Sequence, residues 1–314
     1  MLGAAHKPGA IPLRPLGLGD MYDGAFRIIR FNPRATVGSA VLVAAVAMSI
    51  PVLLTTVLTL AVDLTSDGTS DVSTGEALAV VGTSGSLLVG TLLQGIGLLL
   101  VTGMVARVVA AAAVGRRLSL GEAWAETRGS RWRLIGLAVV LGLMAFAMLA
   151  VYVAAWVVVA LVAPTAVIVV FGLVTVPAFV VLLVWWWVRV YYLPVPALMI
   201  ERIGVFAAIG RGFRLTRRQF WRTLGIGLLT GIITGIAGGF LSLPFSIVAQ
   251  VLALAVPDSQ YLALATVVLT ALGSVVQTAF VTPFSAAVSS LQYLDQRMRK
   301  EAYDVELMAQ AGIS

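Results

Sequence analysis

The residue types that do chemistry are scarce in this chain, and their spacing serves it poorly. Histidine occurs once, at His6, in a tail containing proline and glycine. A paired-histidine metal site and the Ser-His-Asp or Cys-His pairs of nucleophilic catalysis are therefore not expected, and His6 reads as a surface residue of a disordered tail. Cysteine is absent, which excludes disulfides and thiolate-bound metals. Asp63, Asp67 and Asp71 recur every fourth residue in "DLTSDGTSD", but an EF-hand loop needs a different spacing, so they read as a solvated acidic loop. No GxxxxGK[ST] phosphate loop occurs in the glycine-rich stretches. What remains is arginine. "IGRGFRLTRRQFWRTLGIGLL" places Arg211, Arg214, Arg217, Arg218 and Arg222 directly before an apolar run, a cluster that could face nucleic acid, a phosphorylated ligand or a membrane surface.

Composition decides among these. Of 314 residues, 60% are hydrophobic and 11% charged, proportions outside those of soluble domains. A bilayer core of about 30 Å needs about 20 apolar residues per helix, and uncharged runs occupy 36–62, 77–106, 134–188 and 223–294, the last interrupted only by "VPDSQ" at 256–260. Pro164 divides the third run and "VPDSQ" the fourth, which gives six transmembrane helices and an all-α integral membrane fold. The first run is longer than the core of a signal peptide and reads as a retained anchor.

Orientation follows from the basic residues, which are enriched in cytoplasmic loops. All 21 lie in the N-terminal tail, 107–133, 189–222 and the C-terminal tail, together with 9 acidic residues, a net +12; the opposite side carries Asp63, Asp67, Asp71, Glu76 and Asp258, a net −5. The basic side, with both termini, is expected in the cytoplasm. No recognised nucleic-acid module accompanies the charge, so nucleic acid is not expected as a partner.

Gly38, Gly136 and Gly225 open the odd-numbered helices, and each is preceded eight residues earlier by an arginine: Arg30, Arg128 and Arg217. Gly95, Pro177 and Pro283 likewise lie twelve residues before Arg107, Arg189 and Asp295. This internal agreement predicts three repeats of an interfacial amphipathic helix plus a helical hairpin: residues 18–106, 107–188 and 189–294, between a flexible cytoplasmic tail at 1–17 and a second tail at 295–314.

At 100° per residue, Phe206, Ile209, Phe213, Thr216 and Phe220 form a stripe opposite Arg211, Arg214, Arg218 and Arg222. In the first repeat Met21, Ala25 and Ile28 oppose Asp23, Arg27, Arg30 and Arg34, with Pro33 ending the helix; the middle copy is less regular. Two basic faces lying in the membrane interface are thus expected to meet anionic lipid headgroups or a cytoplasmic partner, or simply to enforce topology. Gly227, Gly231, Gly235 and Gly239 recur every fourth residue and predict a groove for close helix packing, against Gly82, Ser86 and Gly90 or at a homo-oligomer interface. Trp185, Trp186 and Trp187 before Arg189 read as an interfacial aromatic belt. The apolar runs contain no ionisable group, which argues against ion-coupled transport, and Gln94, Gln250 and Gln277 read as interhelical hydrogen-bonding residues.

The segment "PALMIERIGVFAAIGRGFRLTRRQFWRTLGIGLL", through Pro196, Glu201, the Ala207 to Arg214 helix, Leu215 and Phe220-Trp221-Arg222, resembles the recurring cytoplasmic segment of the glycerophosphoryl diester phosphodiesterase membrane-domain family. "IPLRPLGLGDMYDGAFRIIRFNPRATVG" looks like the start of actinobacterial members. The resemblance implies a multi-pass protein of the bacterial cytoplasmic membrane, without the phosphodiesterase domain fused to it in some members. The expected function is a non-catalytic scaffold or accessory subunit with no cofactor. A carrier or channel for a lipid or small apolar solute is the alternative, favoured by Pro51, Pro177, Pro244 and Pro283 if they interrupt helices. The orientation predicts that an impermeant thiol reagent labels a cysteine at Ser70 in intact cells and spares cysteines at Ser119 and Ser314; the reverse pattern would invert the topology.

Overall fold

Pro33, Pro164 and the polar break after Ala255 stand where the structure ends one helix and begins the next. The computed structural model describes residues 9–65, 94–257, 259 and 261–310, and all regular structure among them is helical. Helix α1 (Leu18–Phe31) ends at Asn32, and Pro33 opens α2 (Pro33–Thr65), where its missing N–H leaves no helical bond unmade. After α3 (Gln94–Ala113) comes the short α4 (Leu120–Glu126). Helix α5 (Arg131–Val162) turns at Pro164 into α6 (Thr165–Trp186), which runs into a π-helical turn (Trp187–Tyr191). Two short helices follow, α7 (Pro194–Glu201) and α8 (Val205–Thr216), then α9 (Phe220–Ala255), α10 (Leu262–Glu301) and α11 (Tyr303–Gln310).

Six of these helices are long and apolar enough to cross a membrane. In chain order, one or two short helices precede each pair of long helices. Pro51, Pro177, Pro244 and Pro283 all lie inside continuous helices, so they do not create the broken spans that would have favoured a carrier. His6, Asp67, Asp71, Glu76, Asp258, Ser70, Ser314 and the proposed partner face Gly82, Ser86 and Gly90 lie outside the described residues.

Helix α10 is the centre of the bundle, packed on α9, α2 and α1. Its stretch from Thr282 to Gln296 is buried almost without a break. Small residues there, Ala286, Ala287, Ser289 and Ser290, let neighbouring backbones approach, and close contact is what drives association where lipid solvates apolar side chains as well as protein does. The hydroxyls of Ser289 and Ser290 bond back to Ala286 O at 3.0 and 2.7 Å. They therefore pack as small residues without leaving a polar group unmet. Helix α3 separates two apolar clusters: Val101, Val105, Val109 and Ala112 meet α1 and α10, whereas Ala106 meets Leu134, Leu137, Leu198 and Tyr293.

The α5–α6 hairpin stands at the periphery. Only Leu134, Leu137 and Leu141 of α5 are buried, and α6 is exposed along its apolar length until Trp186. The two helices are joined by aromatic contacts: Tyr152 stacks on Phe179 with centroids 4.0 Å apart, and Trp156 meets Phe171 and lies over Gly172, where a Cβ would come within 3.0 Å of it.

Three expectations need correction. Residues 9–17 are not a free tail: Ile11 and Leu16 are fully buried, and Ala10 N donates to Ala112 O at 2.9 Å. Nor is 295–314 a tail as far as Gln310, because α10 runs on to Glu301 and α11 returns Tyr303 and Leu307 to the core. The glycine row also splits. Gly227 packs beneath Trp187 and Tyr192, but Gly231, Gly235 and Gly239 are exposed, with no described atom within 4 Å of an added Cβ. The buried seam of α9 runs instead through Thr223, Gly227, Thr230, Thr234 and Gly238. The hydroxyls of Thr230 and Thr234 are satisfied four residues back, so threonine serves beside glycine as a small packing residue. A Cβ on Gly238 would meet Gln277 at 2.9 Å. Accordingly, Gly238→Leu is expected to cost about 1–3 kcal/mol through overpacking and to lower the thermal midpoint in detergent, whereas Gly231→Leu and Gly235→Leu leave it unchanged.

Candidate functional site

The basic residues of the six-helix bundle gather at one end, and there they divide into those that find carboxylates and those that do not. Helix α7 ends at Glu201 because Arg202 turns left-handed at φ 54°, and this reversal sets α8 antiparallel enough for Arg211 to return to Glu201. Arg211 donates to Glu201 Oε1 through Nε and Nη2 at 2.9 and 2.8 Å, and to Glu301 in bidentate fashion at 2.6 and 2.7 Å. Arg297 adds contacts to Glu301 at 3.0 Å and to Glu201 at 3.3 Å, while Tyr293 donates its hydroxyl to Glu201. Burial opposes the charge of Arg211, but the two carboxylates outweigh it and raise its pKa.

A second node surrounds Asp295, whose side chain is 1% exposed. Arg222 reaches it at 2.8 Å, Arg299 at 2.9 Å, and the main-chain N–H of Leu16 donates to it at 2.7 Å. The same two guanidinium groups donate to Leu16 O at 2.7 and 2.9 Å. Both polar groups of one N-terminal residue are thereby held by α9 and α10. In a third node Arg107, near the end of α3, pairs with Glu126 of α4 and donates to Met199 O at 3.2 Å, and Arg202 meets Glu126 at 3.0 Å. The hydrogen bond from Arg107, and then the charge of Arg202, hold the Glu126 carboxyl below its usual range against the opposing effect of burial. A polar cavity of about 550 Å³ lies between the first and third nodes, lined by Arg107, Glu126, Glu201, Arg211, Arg297 and Tyr303.

The candidate basic faces are consequently not continuous. Arg211 and Arg222 are internal, and α8 stops at Thr216, with Arg218 left-handed at φ 65° before α9 begins. The expected single face of Arg211, Arg214, Arg218 and Arg222 is therefore corrected to Arg214, Arg217 and Arg218, which are exposed and meet no carboxylate among the described residues. The buried side of α8 is Ala208, Gly212 and Leu215, while Phe206 and Phe213 are exposed. In α1 the stripe Met21, Ala25 and Ile28 is fully buried as expected. Opposite it, Arg27 pairs with Asp23 at 2.8 Å in an exposed pair of small energetic value, and Arg30 and Arg34 are exposed without an acidic partner among the described residues. Sequence reasoning missed Asp295, Glu201 and Glu126 as organisers. Asp295 carried a signal, since an acid occupies the position where the other two aligned hairpins have Arg107 and Arg189.

Fold and site together define a multi-pass helical membrane protein with a charged platform at one end. No family model, curated protein or solved structure matches the chain.

Two expectations follow. Asp295→Asn should lower stability by about 1–3 kcal/mol, because the neutral amide gives up the charge-assisted bonds that the buried carboxylate makes with the partly exposed Arg222 and Arg299; an unaltered thermal midpoint would contradict the role given to this node. The lowered pKa of Glu126 stabilises the fold above the unfolded value of about 4.5, and that stabilisation disappears as pH falls through the lower folded value. The stability difference between the parent and Glu126→Gln should therefore be present at neutral pH and vanish in acid, read from thermal midpoints across a pH series.

Proposed function

We propose that the chain is a non-catalytic membrane protein, a scaffold or accessory subunit, whose platform lies on the cytoplasmic face of a bacterial inner membrane and contacts anionic lipid headgroups. The observation that carries this reading is the division of the arginines. Arg107, Arg211, Arg222, Arg297 and Arg299 are consumed by Glu126, Glu201, Glu301 and Asp295, forming a fixed platform. Arg30, Arg34, Arg214, Arg217 and Arg218 remain exposed without carboxylates among the described residues. A basic residue near an anionic membrane surface contributes about 1 kcal/mol of attraction. Phe206, Phe213 and Trp221 are exposed as well, and the indole of Trp221 has the amphipathic character suited to a headgroup boundary. The resemblance to the glycerophosphoryl diester phosphodiesterase membrane-domain family agrees with this reading through Glu201 and the helix that follows it.

The test is the lipid that accompanies the protein. Purified in a mild neutral detergent from bacterial membranes, the full chain should retain phosphatidylglycerol and cardiolipin in excess of their share of the membrane, by mass spectrometry. Retention in the membrane's own proportions, or hydrolysis of a glycerophosphodiester above an empty-membrane control, would overturn the proposal.

A further inference from the structure

The π-helical turn at the base of the α5–α6 hairpin holds a half-buried arginine whose guanidinium is left largely unmet among the described residues. Arg189 approaches Phe213 O only at 3.4 Å, its Nε is buried without a partner, and no described carboxylate pairs with it. Its guanidinium lies 5.0 Å from the ring of Phe213 and 6.0 Å from that of Phe220. One helical turn earlier, the indole N–H of Trp186 is also buried without an acceptor. Two donors three residues apart in the chain thus lack, among the described residues, the acceptor that buried polar groups ordinarily have.

Further positive charge converges on the same place. Lys300 donates to Arg214 O, Leu215 O and Arg217 O at 3.3, 2.7 and 2.7 Å, which satisfies the carbonyls at the end of α8 and brings its ammonium within electrostatic reach of Arg189 and Arg218. Glu301 also acts on Lys300, but it is bonded to Arg211 and Arg297. Arg218 keeps a left-handed backbone at φ 65° where glycine would carry no steric cost. Such crowding of like charge is unfavourable unless an anion joins it.

We infer that Arg189, Arg217 and Arg218 form a binding site for the phosphodiester headgroup of one anionic phospholipid. This inference rests on the proposed function and assigns its lipid contact to a place. The ligand is a lipid rather than free phosphate because the cations sit within an exposed apolar rim. Trp185 meets Phe213 edge-on and Trp221 meets Phe220 edge-on, and Trp185, Phe213 and Trp221 are exposed. Acyl chains gain from that surface and inorganic phosphate does not. The planar guanidinium of Arg189 suits a phosphate oxygen pair, and π-helical turns occur often at functional sites.

The test is native mass spectrometry of the full chain in neutral detergent, titrated with phosphatidylglycerol, phosphatidylcholine or inorganic phosphate. One phosphatidylglycerol should bind in preference to phosphatidylcholine, undisplaced by inorganic phosphate. Arg217→Gln with Arg218→Gln, both exposed, should weaken it by about 30-fold. Arg189→Gln should abolish the preference and Arg189→Lys should restore part of it. Arg116→Gln with Arg128→Gln, an exposed pair elsewhere on the same end, should leave binding unchanged. Wild-type affinity in the Arg217 and Arg218 double variant overturns the site, as does displacement by inorganic phosphate. An equal loss in the Arg116 and Arg128 pair overturns the site but leaves a diffuse attraction to anionic lipid; no preference for phosphatidylglycerol in the parent chain overturns both.

Discussion

Asp295 is an acid closed off from solvent near the end of a long apolar helix, and much of the platform depends on the groups that meet its charge. An unpaired carboxylate there would be too costly to ionise. Arg222 from the start of α9, Arg299 from the next turn of α10 and the Leu16 amide provide the compensation. Since the two guanidinium groups also hold Leu16 O, the segment before α1 is fixed across the bundle end and buries Ile11, Leu13 and Leu16. The position of α1 follows from this, with Met21, Ala25 and Ile28 against the bundle core.

Glu201 does for α7 and α8 what Asp295 does for the N-terminal segment. Its contacts to Arg211, Arg297 and Tyr293 tie the reversal between the two short helices to α10, and Glu126 ties α4 to α3 through Arg107. The α5–α6 hairpin receives no such anchoring along its length from the described residues. It joins the platform at its base, where Leu134 and Leu137 on one side and the π-helical turn on the other enter the core. The basic charge of the described residues is therefore concentrated at one end, beyond the apolar length of the helices, the arrangement that a membrane imposes on a chain with this composition.

The spans were legible in the sequence because apolar length and breaking residues are local properties. Pro33, Pro164 and the 256–260 segment stand at the helix boundaries. The stripe of α1 was legible for the same reason. Ion-pair partners were not, because Leu16 and Asp295 are separated by 279 positions and Tyr293 and Glu201 by 92, and periodicity on one helix says nothing about an acid on another. Reading 205–222 as one helix placed Arg211 with Arg214. The carboxylates of Glu201 and Glu301 take Arg211 from Arg214, and the break after Thr216 divides both from Arg218 and Arg222. In α9 the four-residue recurrence of glycine drew attention to the exposed row, while the buried seam one position away is made partly of threonine, whose satisfied hydroxyl gives no signal of burial. The proline- and glycine-containing start of the chain read as disordered, although its widely spaced apolar residues Ile11, Leu13 and Leu16 were those that fold down.

The division of the arginines into internal and external sets is tested most directly by comparing the thermal stability in detergent of four single glutamine variants, Arg211, Arg222, Arg214 and Arg218. The structure predicts that Arg211→Gln and Arg222→Gln are destabilised, because the first leaves the half-buried Glu201 and the second the buried Asp295 short of a partner, and that Arg214→Gln and Arg218→Gln unfold with the parent chain. Equal midpoints for all four, or a larger loss in the external pair, would contradict the account.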